Sequence, residues 1–358
     1  MMSLQHLNIN RSFSLYRSIK FLFEVFDITD VKMMVLLKHR RYMTALLSST
    51  TILLLLYFQN YLLVLTYGSS GFISKKVLCA CSICVTDREN SIWFSERYDP
   101  NIPLLLNSTN SVLRANVSRW WKCKCIWLLK PHIYTKVVDQ LFPLFPDKEH
   151  YSDAGPDRCR ACAVVGNSGN LLGSNYGPLI DFHDFVMRIN KGQTEGYEKD
   201  VGSKTTHRIV YPESAVDLDN STHLVLFPFK ILDIQWLISA FTTKNITQTY
   251  TIVPSTIKAN KDKVVILHPE FIRYVYYNWA ERHGRYPSTG FLSLIFALHI
   301  CDEVNVFGFG ATSDGIWHHY FDKTLTSYEI SVHAGRFENE TINRLQQENK
   351  ILMHKGWT

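Results

Sequence analysis

Several short strings in this chain carry the residue types that hold phosphate and move protons. Gly166-Asn167-Ser168-Gly169-Asn170 follows the apolar run Ala163–Val165. A buried strand that ends in glycines, with small polar residues between them, lets backbone N–H groups and amide side chains approach an anion closely. The stretch Asp181–Lys191 is a second apolar run, and it finishes on Asn190 and Lys191. Val304–Phe307, followed by Gly308-Phe309-Gly310, repeats the strand-to-glycine device. Tyr286-Pro287-Ser288-Thr289-Gly290 launches the apolar stretch Phe291–Ile300. Proline beside serine and threonine marks a helix amino terminus, whose free N–H groups and positive dipole suit an anion. Two histidine strings follow: Trp317-His318-His319-Tyr320, and Val332-His333 with Glu338 five residues on. Imidazole titrates nearest neutrality and suits the role of general base. Neighbouring histidines lack the i, i+4 spacing of a helical zinc pair, so no metal is read there.

The elements that must position these residues alternate. Strands are read at Arg208–Tyr211, His223–Phe229 and Val264–His268, and helices at Leu232–Ala240 and Phe271–Arg282. Interleaved strands and helices predict an α/β fold, a mainly parallel sheet with helices on both faces. Ligands of such sheets bind at the carboxyl ends of the strands, where the Asn and Gly residues fall. A nicotinamide oxidoreductase is disfavoured, because GNSGN is not the G-x-G-x-x-G fingerprint. Asp217-Leu218-Asp219 spells D-x-D, the metal-holding string of many nucleotide-sugar transferases. It abuts a sequon and follows no convincing strand, so it reads as a solvated loop.

The 358 residues carry a net charge of +6, too mild for a nucleic-acid binder but suited to anionic small substrates. Residues 1–42 hold scattered basic residues, with Lys38-His39-Arg40-Arg41 near their end, and Met43–Tyr67 contains no charge. Those residues are enough to cross a hydrocarbon core of about 30 Å. They start too far into the chain for a cleaved signal peptide. The basic cluster predicts a single-pass type II signal anchor: cytoplasmic tail 1–42, transmembrane segment 43–67, short stem 68–78 and lumenal domain 79–358. Sequons at Asn107, Asn116, Asn220, Asn245 and Asn339 lie beyond the span and are expected to carry glycans, whereas Asn10 lies before it and should not. All eight cysteines also follow the span. Cys79-x-Cys81-x2-Cys84 with Cys159-x2-Cys162 could hold zinc, and the latter pair could act in redox chemistry. An oxidising lumen favours structural disulfides. Cys123 and Cys125, one residue apart, are poorly placed to bond each other, leaving them to pair between chains in a homodimer or to remain free.

From Cys79 to the carboxyl terminus the chain resembles the animal sialyltransferases, and most closely the β-galactoside α2,3-sialyltransferases acting on Galβ1,3GalNAc. Cys162–Lys191 resembles their large sialyl motif, His283–Cys301 the small one, Trp317–Tyr320 the third, and His333 with Glu338 the very short H-x4-E motif. The resemblance implies one Rossmann-like catalytic domain of the GT-A-variant sialyltransferase fold behind the membrane anchor, in the Golgi. It implies metal-independent, inverting transfer of sialic acid from CMP-N-acetylneuraminate, with no cofactor, to the galactose 3-OH of glycoprotein or glycolipid acceptors. A catalytically silent glycan-binding or nucleotide-binding relative is the alternative. Disulfides Cys79–Cys84, Cys81–Cys159 and Cys162–Cys301 are implied. His333 is implied as base with Glu338 supporting it, and His319 as the group serving the phosphate. Asn167, Asn190, Tyr211, Ser288, Thr289, Gly290 and Gly310 carry over as donor contacts, and Tyr250 and Tyr286 as acceptor- or donor-site aromatics. The family's acceptor-contacting Gln is missing, and Ser108 or Thr109 stands in its place. Trp120 and Trp121 read as core packing rather than sugar platforms.

Overall fold

A computed structural model describes residues 33–59, 79–82, 84–87, 91–123, 131–148, 150–312, 314–322 and 333–356. The chain divides into two units, Met1–Lys76 and Val77–Thr358. In the first unit the described part is one helix, Met33–Gln59, long and apolar enough to cross a membrane by length and composition. It starts ten residues before the span read from the sequence and includes Lys38–Arg41. Lysine and arginine are good helix formers, so a change of polarity leaves the backbone ladder unbroken. Residues 1–32 of the expected tail (1–42), residues 60–67 of the expected span and the whole of the stem (68–78) lie outside the described residues, as does Cys125.

The second unit is built on seven parallel strands: β1 (Ala161–Val165), β2 (Phe185–Ile189), β3 (His207–Val210), β4 (His223–Leu226), β5 (Val264–Ile266), β6 (Glu303–Phe307) and β7 (Leu352–His354). Their order is β5-β4-β3-β2-β1-β6-β7. The chain therefore walks outward from β1 to β5, then returns to the other side of β1. That reversal opens a crevice between the carboxyl ends of β1 and β6.

Alternate residues of each strand face opposite ways, and both faces are covered. One face presents Cys162, Val164, Met187, Ile209, Val225 and Val306 to a core that contains the Thr289–Ile300 helix. The other presents Val210, Leu224, Leu226 and Ile266 to the Ile231–Phe241 helix, and Ala163, Val165 and Val186 to Ile180 of the Gly177–Phe182 helix. The Thr289–Ile300 helix is apolar and buried almost all round, as an element enclosed on every side must be. It packs across β1, β2, β3 and β6.

Some boundaries differ from the sequence reading. β4 stops at Leu226 rather than Phe229, because Pro228 has no N–H to continue a ladder. The stretch read as one helix, Phe271–Arg282, is an α-helix at Pro269–Tyr274 and a π-turn at Val275–Trp279, after which Glu281 and Arg282 take positive φ. Three disulfides close the unit: Cys79–Cys84, Cys81–Cys159 and Cys162–Cys301, the last joining residues 139 apart.

His268 gives this fold a sensitivity to acid. Its Nδ1 accepts the Glu270 N–H and caps the Pro269 helix (3.0 Å), while Nε2–H donates to the Asn110 carbonyl (3.2 Å). That arrangement requires a neutral ring, and burial pushes the ring's pKa down to about 4. Between that value and the unfolded value near 6.5 the unfolded chain binds the proton and the folded chain does not. Stability is therefore full above about pH 6.5 and is lost as pH falls towards 4. From pH 7 to pH 5 this group should cost about 2 kcal/mol. Urea melts at both pH values should show that loss reduced in His268→Asn, a cap that does not titrate.

Candidate functional site

A cavity of about 810 Å³ opens at the crevice between β1 and β6, and its wall contains all eleven residues expected in catalysis or binding: Asn167, Asn190, Tyr211, Tyr250, Tyr286, Ser288, Thr289, Gly290, Gly310, His319 and His333.

One end is made by the exits of β1 and β6. Gly166 N–H bonds the Phe307 carbonyl and Ser168 N–H bonds the Gly308 carbonyl. A Cβ on Gly166 would lie 2.3 Å from the Gly308 oxygen, so only glycine permits this approach. The third histidine string zips onto the same loop, with Gly169 N–H donating to the His318 carbonyl and Tyr320 N–H to the Asn167 carbonyl. His319 is thereby set beside Ser168. Desolvation lowers its pKa, against the opposing pull of Asp322, so the free ring is neutral at neutral pH. Asn167 Nδ2 donates to the Ile189 carbonyl (3.1 Å), which ties the β1 exit to the β2 exit. There Asn190 adopts φ 54°, a left-handed turn that asparagine tolerates. Arg208 pins that turn by donating Nη1 to the carbonyls of Asn190 (3.2 Å) and Gly192 (2.7 Å).

The other end is built on the amino terminus of the Thr289–Ile300 helix. Ser288 Oγ accepts the Phe291 N–H as its cap (3.1 Å), and the first-turn residues Thr289 and Gly290 face the cavity. His333 Nδ1–H donates to the Tyr286 carbonyl (2.9 Å), which fixes the tautomer with Nε2 as the basic nitrogen. Its ring meets Tyr286 edge to face at 5.1 Å. Glu338, expected to support the neighbourhood of His333, accepts the Ser288 N–H (2.8 Å); burial raises its pKa, against the opposing effects of the Ser288 bond and of nearby His333. It thereby also touches the Tyr286–Ser288 segment that holds His333.

Sequence reading overlooked part of the wall. Lys230, Glu213 and Asp233 form a buried ionic group there, and Phe229, Phe309 and His318 add surface. Asn339 also lines the cavity, half-buried on the Gly335–Gln347 helix, although its sequence string is a sequon. Asn116, Asn220 and Asn245 are exposed, and Asn107 is half-buried. Ser108 hydrogen-bonds Asp147, and neither it nor Thr109 lines the cavity. Asp219 is spent on a turn through Ser221 and Thr222, and Asp217 accepts the Lys258 N–H. Trp121 is buried and donates Nε1–H to the Pro228 carbonyl (3.0 Å). Among the described residues no group of three or more His, Cys, Asp or Glu side chains could hold a metal ion.

Residues 105–350 match the family model of glycosyltransferase family 29 (sialyltransferase). The chain is 46% identical over 282 residues to the chicken CMP-N-acetylneuraminate-beta-galactosamide-alpha-2,3-sialyltransferase 1, covering 78% of this chain and 82% of the relative. It is 45% identical over 296 residues to the mouse alpha-2,3-sialyltransferase 2 of the same designation, covering 81% and 83%. A crystal structure of a mammalian sialyltransferase superposes with a TM-score of 0.73 at 46% identity, covering 78% of this chain and 99% of that one. A mammalian sialyltransferase in complex with Gal-beta-1-3GalNAc-ortho-nitrophenol gives 0.71 at 45% identity.

The Glu338–Ser288 bond is testable by itself. Glu338→Ala leaves the Ser288 amide without its acceptor, which should cost about 1–3 kcal/mol. Glu338→Gln keeps an acceptor oxygen and should retain most of that stability, as read by thermal melts of both variants.

Proposed function

The chain belongs to glycosyltransferase family 29, the sialyltransferases, and on that premise we propose that it transfers sialic acid from CMP-N-acetylneuraminate to the 3-OH of terminal galactose in Galβ1,3GalNAc glycans. The observation that carries this reading is the single cavity in which all four family motifs converge. The names of the relatives support the donor, the linkage and the galactose acceptor. The ligand of the matched crystal structure supports the disaccharide. With the Met33–Gln59 helix as anchor, the catalytic unit works in the Golgi lumen as a type II membrane protein.

In this mechanism Asn167, Asn190 and Tyr211 hold the CMP moiety at the ends of β1, β2 and β3, and Gly310 lets the backbone approach it. The amino terminus of the Thr289–Ile300 helix, with Ser288, Thr289 and Gly290, faces the donor's negative charge. His333 Nε2 removes the proton from the galactose 3-OH. That oxygen forms its bond to the anomeric carbon of sialic acid while the bond from carbon to the phosphate oxygen breaks, and CMP departs with the electron pair. One displacement inverts the anomeric centre. His319 donates a hydrogen bond to the phosphate. The ring's pKa rises again as that anion arrives, so its hydrogen bond strengthens as charge develops. No metal takes part, since the D-x-D carboxylates are engaged in loops away from the cavity.

The primary test presents the purified lumenal unit with CMP-sialic acid and a panel of β-galactosides. Transfer to Galβ1,3GalNAc is expected and should persist in excess chelator. Loss in chelator with recovery in manganese would overturn metal independence, and absence of transfer would leave a silent binding relative. The two histidines are separated by a second test. His333→Ala should lose about 10²–10⁴-fold in kcat with donor affinity little changed. His319→Ala should slow transfer and weaken donor binding as well, because the phosphate is present in the ground state. A near-normal kcat in His333→Ala would remove it from the role of base.

A further inference from the structure

Lys230 stands at the junction between β4 and the Ile231–Phe241 helix, 7% exposed, with its Nζ shut off from solvent. A buried ammonium is costly unless paired. Asp233 Oδ1 lies 2.7 Å away, while the other oxygen of that carboxylate caps the helix by accepting the N–H groups of Phe229 (2.9 Å) and Lys230 (3.1 Å). Glu213 Oε1, from the turn after β3, lies 3.8 Å from the ammonium. The same Glu213 oxygen accepts the Tyr250 N–H (2.8 Å) and the Thr249 hydroxyl. The ring of Tyr250 closes the group, its centroid 3.4 Å from Lys230 Nζ.

Two tethers thus converge on one residue, a hydrogen bond to its backbone and a cation beneath its ring. Apolar burial does little of this work, because Tyr250 is 51% exposed and Ile252, two residues on, is 84% exposed. Tyr250 lines the cavity with about half of its surface exposed. Tyr250 shares a wall with Phe229, Tyr286 and Trp120. The Tyr286 carbonyl also holds His333, so this wall adjoins the proposed base.

We propose that Lys230, braced by Asp233 and Glu213, is a positioning residue for the sugar acceptor: it fixes the Tyr250 ring so that its outer face stacks on the galactoside that His333 deprotonates. The proposal rests on the sialyltransferase reading. Lys230 itself touches no substrate and acts through Tyr250, with an attraction typical of a desolvated cation on an aromatic face.

A double-mutant cycle tests this. Lys230→Met with Asp233→Asn removes both charges together, Tyr250→Ala removes the ring, and the triple variant combines them. Kinetics for donor and acceptor are measured separately, alongside thermal melts. The paired substitution is expected to raise the acceptor KM about tenfold while the donor KM stays within about twofold. In the Tyr250→Ala background it should add less than about twofold, because the ring it positions is already gone. Losses that multiply, an unchanged acceptor KM, or equal shifts in both KM values would overturn the proposal. Should the paired variant fail to fold, Glu213→Ala enters the same cycle, since it frees the Thr249–Tyr250 tether, and the same outcomes decide. A wild-type enzyme that transfers, combined with multiplying losses, defeats this proposal alone; a wild-type enzyme that does not transfer defeats both readings.

Discussion

The lateral pairing of β1 with β6 is the constraint on which the rest of the structure depends. These strands are far apart in sequence, and every intervening element must be accommodated before they can meet. Their register sets Cys162 opposite Val304 and Val165 opposite Phe307, and the Cys162–Cys301 disulfide closes the same junction covalently. A loop of this length confers a large entropic constraint on the unfolded chain in the usual polymer model. Because the strand order reverses here, both exits open into one crevice. The two glycine loops touch backbone to backbone, so Asn167 and Gly310 are set in the cavity wall by main-chain contacts. The Trp317–Tyr320 segment can zip onto the Asn167–Gly169 loop only because that contact already exists.

Two histidines in one cavity need different electrostatic states, and local partners supply them. His333 has its Nδ1 proton committed to a backbone carbonyl, which leaves Nε2 as the basic nitrogen. Desolvation lowers the pKa of His319, which favours its neutral ring. The net charge of +6 across the whole chain does little for this division. Charges that matter sit within hydrogen-bonding distance, where the low local dielectric strengthens them and bulk salt screens them least.

Much of this was legible in the sequence, for identifiable reasons. Strand exits ending in Gly and Asn, and a helix start with Pro, Ser and Thr, are local signals, and their chemistry survives without knowledge of the fold. The parallel sheet followed from alternating apolar runs. What stayed hidden was non-local. Lys230 and Asp233 lie at one helix start and Glu213 in a distant turn, and nothing in their spacing says that the two segments bring them together. The π-turn at Val275–Trp279 keeps the apolar content of a helix, so composition could not reveal the break. β7 is three residues long and mostly uncovered, too short for an alternation signal. Asn339 shows the converse: its sequon is clear in sequence, yet only the fold shows that the residue faces the cavity.

In the proposed reaction the carboxyl-terminal segment from His333 to Glu338 ties the two ends of the chemistry together. His333 is held by the carbonyl of Tyr286, and Glu338, one helical turn into the Gly335–Gln347 helix, holds the amide of Ser288. Ser288 in turn caps the helix whose first turn faces the donor. The base and the donor-facing helix end are therefore fixed by adjacent bonds to one three-residue stretch, Tyr286–Ser288. A shift of that stretch moves both at once, and the distance between the attacking hydroxyl and the anomeric carbon is governed by backbone hydrogen bonds rather than by two independent side-chain rotamers. Misplacement by even an ångström costs orders of magnitude in such reactions. A shared mount of this kind would keep the proposed base and the donor in register.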